Sequence, residues 1–131
     1  MKQLYLVLLG LIFTGFANAQ NNCGDAISIT VPFSSGAVTT CGTGNDYPAG
    51  SFYNSLYGGG EDYVYKLDIS TVPQTFVFSL GGAATYKILS LHSDCPPTSA
   101  NALTGWVTGS GTTASGTYTF TTAGTYYLFV D

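Results

Sequence analysis

The sequence predicts an all-β domain, a sandwich of short strands, and three observations carry that expectation. Past Gln20, apolar residues recur at period two and no window sustains a helical period. Clusters of Gly, Ser, Thr, Asn and Pro separate the alternating runs and supply turn geometries. Only 8% of residues are charged against 15% aromatic, so no charge-flanked apolar stripe of an amphipathic helix can be assembled.

The opening "MKQLYLVLLGLIFTGFANAQ" stands apart from that fold. Lys2 gives a positive start, Leu4 to Phe16 form an apolar run, and Ala17-Asn18-Ala19 has the small-x-small pattern of a signal-peptidase site. The run is shorter than the roughly 20 residues a spanning helix needs, and no stop-transfer charges follow it. Residues 1–19 are therefore expected to be a signal peptide rather than a retained anchor. Residues 20–131 then form one secreted or cell-surface domain without membrane insertion.

The strands follow in order. "AISITVPF" alternates Ile27, Ile29 and Val31 against Ser28 and Thr30 until Pro32 ends its pairing. "DYVYKLDI" sets Tyr63, Tyr65 and Leu67 on the core face against Val64, Lys66 and Asp68. "TFVFSL" groups Phe76, Phe78 and Leu80, and "TYKILSLHS" sets Lys87, Leu89 and Leu91 against Tyr86, Ile88 and Ser90. "LTGWVTGSGTTASG" reads as a long hairpin or loop. "GTYTFTTAGTYYLFVD" places Tyr118 and Phe120 together, turns at Ala123-Gly124, and continues as a strand apolar on both faces, hence central in a sheet. A finished domain rarely stops on such a strand, whose neighbours would be missing. The expectation is a sandwich truncated at its C-terminal end, the N-terminal fragment of a longer protein.

Charge excludes some partners. Arginine is absent, and Lys66 and Lys87 are the only cations past the leader, so nucleic acid and anionic membrane surfaces find nothing to neutralise them. Three cysteines, Cys23, Cys41 and Cys95, would remain in an oxidising compartment. Pairing Cys23 with Cys41 closes a loop of roughly 18 residues, worth about 3 kcal/mol, and leaves Cys95 single. Zinc is disfavoured because there is no Cys-x-x-Cys and His92, the sole histidine, is three residues from Cys95.

No catalytic set emerges. His92, Ser93 and Asp94 are contiguous on an extended segment, so they cannot converge, and no G-x-S-x-G elbow is present. His92 is read as an exposed strand-end residue. Cys95 as a nucleophile would need that same histidine. Glu61 and Asp62 in "GGGEDYVYKLD" diverge in an extended segment, which argues against the facing carboxylates of a glycosidase. Calcium asks less, only hard oxygen donors from loops. "GTGNDY" and "GGGED" could meet at one end of a sandwich, making Asp46, Glu61 and Asp62 candidate metal ligands beside the plainer reading of solvated loop acids. Tyr47, Phe52, Tyr53 and Tyr57 lie in a Gly/Ser-rich segment, either as a lid over a small core or as a stacking platform. Tyr53 and Tyr57 are the candidate ligand-binding pair, and Trp106 divides the same way.

Taken in order, "NNCGDAISI", "VPF", "TTCGTGNDY", "GGGEDYVYKL", "FVFSL", "SDCP" and "TTAGTYYLFVD" resemble the secreted pre-peptidase C-terminal-like domains. They are closest to the cysteine-bearing variety in exported proteins of Bacteroidetes-type bacteria. The likeness covers nearly all of residues 20–131. It implies a jelly-roll-like, non-catalytic accessory module of a larger exported protein, some relatives of which carry a type IX sorting domain. It also implies partners in downstream domains of the same polypeptide, and in some relatives calcium or insoluble polymers as ligands. The relatives usually carry the cysteines that fall at Cys23 and Cys41. They often have two more, absent here from "PAGSFYNSLY" and "PTSANALTGW", and they continue past the "YYLFVD" strand. The expected function is a targeting, adhesion or stabilising module. The alternatives are the N-terminal module of a secreted peptidase or other hydrolase with its catalytic domain downstream, and a carbohydrate-binding module using Tyr53 and Tyr57.

Overall fold

A computed structural model describes residues 22–53, 58–108 and 113–131. The expected signal peptide and Tyr57 lie outside the described residues. Among the described residues seven strands form: β1 (Ile27–Ile29), β2 (Tyr63–Ile69), β3 (Gln74–Leu80), β4 (Lys87–His92), β5 (Ala102–Thr108), β6 (Ala114–Phe120) and β7 (Gly124–Val130). The larger sheet runs β1-β2-β7-β4-β5, and the smaller pairs β3 with β6. The chain is all-β in two sheets, consistent with a β-sandwich. Among the described residues no helix is long and apolar enough to cross a membrane.

Every pairing is antiparallel except β1 with β2, where Ile27 faces Tyr65 and Ile29 faces Leu67. The long excursion from Thr30 to Asp62 permits this, since parallel neighbours cannot be joined by a tight turn. The expected alternation through Val31 stops early, because β1 ends at Ile29 and Val31 is exposed. As expected, β7 is central. It pairs with β2 along its full length and with β4 from Tyr127 to Val130, so both neighbours come from earlier in the chain.

The two sheets close on one core. Tyr65, Leu67 and Ile69 of β2, Leu89 and Leu91 of β4, and Tyr126 and Leu128 of β7 meet Phe78 and Phe120 of the smaller sheet. Tyr63 packs at its edge, so the face expected for β2 is the one observed. Phe120 is fully buried among the rings of Phe76, Phe78, Tyr118 and Tyr126. Burying one such side chain is worth about 1.5–3 kcal/mol.

The other face of the larger sheet is also covered, which alternation alone did not show. Val64, Ile88 and Phe129 project there and are sealed by Tyr47 and Phe52 from the excursion. The lid reading thus holds for Tyr47 and Phe52, while Tyr53 stays 58% exposed. Every residue of β4 is buried as a result. Lys87 is tolerated because its Nζ donates to the carbonyls of Gly82 (2.7 Å) and Ala84 (3.3 Å).

The stretch expected to be a hairpin or loop instead contributes strands to two different sheets. β5 pairs with β4 in the larger sheet and β6 with β3 in the smaller. Gly105 and Gly116 concealed these strands, and both serve close approach. A Cβ at Gly105 would press into Tyr53, and one at Gly116 would collide with the Trp106 indole, which stacks on Phe78 at 5.2 Å.

Candidate functional site

The two acidic glycine loops meet, as their composition suggested. The Gly44 carbonyl accepts the Asp62 amide at 2.8 Å, and Asn45 Nδ2 donates to the Gly59 carbonyl at 3.0 Å. Asp62, which opens β2, turns inward and is fully buried. Its Oδ2 accepts the amides of Asp46 (2.8 Å) and Tyr47 (2.9 Å), tying the Tyr47 lid to the sheet. Asp131 reaches the same junction, accepting the Gly60 amide at Oδ2 over 2.8 Å. A side chain at Gly60 would run into that carboxylate.

Electrostatics at the junction are one-sided. Burial pushes the Asp62 carboxyl up to about 6, the Tyr47 and Asp46 amides pull it down, and the Asp131 and Asp46 carboxylates push it up further. Asp131 is also raised, by burial, against the pull of the Gly60 amide. Asp62 Oδ1 is a buried oxygen without a hydrogen-bond partner.

The expected trio of Asp46, Glu61 and Asp62 is not brought together. Glu61 points away from Asp62, as neighbours in an extended segment do, and its Oε2 accepts the Gly42 amide at 2.7 Å. Among the described residues there is no group of three or more His, Cys, Asp or Glu side chains placed to hold a metal.

The disulfide differs from the one expected. Cys23 bonds Cys95, with Cα atoms 5.7 Å apart, and Cys41 is the free, exposed thiol. Sequence proximity favoured Cys41, but the excursion carries it away, while the segment after β4 brings Cys95 back beneath the lid. Tyr47 completes the join, its hydroxyl accepting the Cys23 amide at 2.9 Å and lying 3.0 Å from Cys23 Sγ. Its ring meets Phe129 edge-on, and burial raises its phenol.

His92 is likewise corrected: it is fully buried, not exposed. Its partners are not Ser93 and Asp94. Ser90 Oγ lies 2.8 Å from Nε2, and Asn101 Oδ1 lies 2.7 Å from Nδ1. The Asn101 amide donates to the Pro96 carbonyl, and its oxygen also takes the Thr98 amide. This pattern assigns the imidazole hydrogen to Nδ1 and leaves Nε2 to accept from Ser90. Burial lowers the imidazole, and the Asn101 bond pulls it back up. The signal was present in the sequence, since Ser90 and His92 are two apart on a strand and share a face.

The order Ser90, His92, Asn101 is that of nucleophile, base and orienter. Its chemistry is nonetheless closed. Neither Ser90 nor His92 has exposed surface, and the Ser90 hydroxyl also accepts the Tyr53 amide at 3.1 Å. A substrate carbonyl would have to displace Tyr53 and Phe52 to reach it. What stays open is the outside of the fold. Tyr53 is presented over Gly105, and the smaller sheet shows Thr75, Val77 and Ser79 beside Thr119, Thr117 and Ser115.

Comparison of the chain with protein-family models, with curated proteins and with solved structures finds no match in any of the three.

Proposed function

We propose that this chain is a secreted, non-catalytic β-sandwich module, jelly-roll-like and of the pre-peptidase C-terminal-like kind, that serves a larger exported or cell-surface protein in targeting, adhesion or stabilisation. The observation that carries the reading is the sealing of the Ser90–His92–Asn101 relay, whose every polar atom is spent on holding loops to the larger sheet. The disulfide and the doubly covered sheet suit a scaffold outside the cell. Its partners in this reading are other domains of the same protein and an extracellular polymer.

Tyr53 favours a carbohydrate or other polymer ligand in particular. It is an aromatic ring held outward on a glycine seat, and it is 58% exposed. Calcium belongs to the same reading at the loop junction, where the unpartnered Asp62 Oδ1 would be its carboxylate ligand and the charges of Asp131 and Asp46 would favour a cation. Glu61 has no part in that set.

The test mixes the exported chain with insoluble polysaccharides and with collagen, and measures the fraction that sediments. Retention that falls on Tyr53→Ala supports the reading. Turnover of ester, peptide or glycoside substrates, lost on Ser90→Ala, would overturn it.

A further inference from the structure

The Ser90–His92–Asn101 relay ends outward on a main-chain group, the Tyr53 amide, which donates to Ser90 Oγ at 3.1 Å. Tyr53 closes a strap made of the 3-10 turn Ala49–Ser51 and of Phe52, whose ring is buried. The Phe52 ring centre lies 6.3 Å from His92 and 5.8 Å from Phe129, and a Cβ at Gly58 would run into that ring. Among the described residues no other hydrogen bond joins the strap to the larger sheet. The strap is packed in place but fastened at one point, the hydroxyl that also serves the imidazole.

His92 lies beneath it with no charge to answer its own. On β4, Ser90 and Ile88 share its face, while Lys87 projects to the other and donates to the Gly82 and Ala84 carbonyls. β5 sets Ala102 across from His92 and Gly105 across from Ser90. β7 supplies Phe129, its ring centre 5.1 Å away, and the phenol of Tyr127. Past β4, Asn101 holds Nδ1, and the exposed Asp94 accepts the Cys95 amide. Asp131 shares the outer face but pairs with Ile88, roughly 13 Å along the strand from His92. Asp62, with Asp46 on it, stands farther off, next to β2 beyond β7. Burial and the Asn101 bond, not a carboxylate, shift the imidazole.

In the neutral ring Nε2 accepts the Ser90 hydroxyl, which leaves the serine oxygen to take the Tyr53 amide. A proton added at Nε2 sets two donors face to face. The hydroxyl hydrogen must then turn from the nitrogen that satisfied it, and Nε2–H competes with the Tyr53 amide for one oxygen. The new charge is buried without a carboxylate beside it. Behind the ring lies the ladder of the sheet, and in front of it the strap. Lifting the strap brings water to the charge and to the hydroxyl together, and leaves the ladder whole.

We propose that Ala49–Tyr53 is an acid-released strap, which lifts from β4 and β5 when His92 takes a proton at Nε2 and its bond with Ser90 reverses. Opening does not create a hydrolase, because an imidazolium cannot take the Ser90 proton. Tyr53 leaves its Gly105 seat in the same movement, so a ligand stacked on it is shed in acid. That consequence alone rests on the proposed polymer binding, and the test of the strap uses no ligand.

The test follows amide hydrogen exchange of the whole chain from pH 7.5 to 5 in chelator, as protection factors that divide out intrinsic rates. Tyr53 protection should fall by up to roughly tenfold per pH unit below about 6.5, the limit for one proton. It should be unchanged by urea below the unfolding range, whereas β7 amides, which exchange by global unfolding, respond to it. In His92→Gln the fall should vanish. Asp62 does not mimic the effect, since its contribution grows as pH falls. Tyr53 protection that ignores pH, follows β7 in urea, or falls equally in His92→Gln would overturn the proposal. Imidazole nitrogen shifts of the wild-type chain give a check that needs no variant. At pH 7.5 they should report hydrogen on Nδ1 and a bare Nε2, and hydrogen on Nε2 would sink the idea, because the serine bond would already run the other way.

Discussion

Removing the Cys23–Cys95 bridge is the perturbation whose size the structure fixes best. The bridge spans 72 residues, which on the chain-entropy relation gives about 4.4 kcal/mol at 25 °C, against about 3 for the shorter loop a Cys23–Cys41 bond would close. Native domains hold only about 5–15 kcal/mol in all, so Cys95→Ala should remove a large share of the stability. It also frees Cys23, whose sulfur meets the Tyr47 hydroxyl, so the lid loosens along with the tether. The assay is urea unfolding of the oxidised chain, of Cys95→Ala in a Cys41→Ala background, and of Cys41→Ala alone. The expected pattern is a drop of about 4 kcal/mol for the double variant and less than about 0.5 for Cys41→Ala, an exposed surface change. Peptide mapping without reductant supplies the independent check. A linked Cys23–Cys41 peptide, or equal losses from Cys41→Ala, would refute the pairing.

Other outcomes follow from the buried polar groups and the tight seats. Asp62 has a folded-state value raised from 3.8 to about 6, so its favourable contribution is full below 3.8 and is lost as pH rises through 6. Thermal melts in chelator should show wild type losing up to roughly 3 kcal/mol over that window relative to Asp62→Asn, and calcium at neutral pH should restore wild type alone. His92 behaves oppositely: its folded value is lowered, so its contribution is full above 6.5 and lost as pH falls through the folded value. His92→Gln should flatten that acid limb. Ser90→Ala should cost about 1–3 kcal/mol by stranding Nε2 and the Tyr53 amide, measured by denaturant titration. Gly116→Val should cost about 1–3 kcal/mol or more and change tryptophan fluorescence, because the new side chain must displace the Trp106 indole.

Much of the fold was legible where side chains alternate in full. β2, β3, β4 and β7 each present apolar residues at period two, and the two-sided apolarity of "TYYLFV" placed β7 at the sheet centre. The meeting of the two glycine-rich loops was also legible, since acids and turns of one character gather at one end of a sandwich. β5 and β6 were not, because they include glycines that accept a ring from elsewhere, and a missing side chain leaves no period to read. The disulfide was misread because the excursion after β1 makes sequence distance a poor guide to spatial distance. Burial of His92 and Asp62 depends on the lid of Tyr47 and Phe52, a tertiary contact with no local signature.

The central place of β7 also sets an order of events. β2 precedes it by more than fifty residues and β4 by about thirty, yet neither pairs with the other. Until residues 124–130 arrive, β1 with β2 and β4 with β5 are separate fragments, each showing the backbone edge that β7 will occupy. The larger sheet is therefore closed by the insertion of β7, and before that insertion it exposes two edges where the folded sheet has a ladder. A chaperone handling this polypeptide meets an open sheet until β7 is in place.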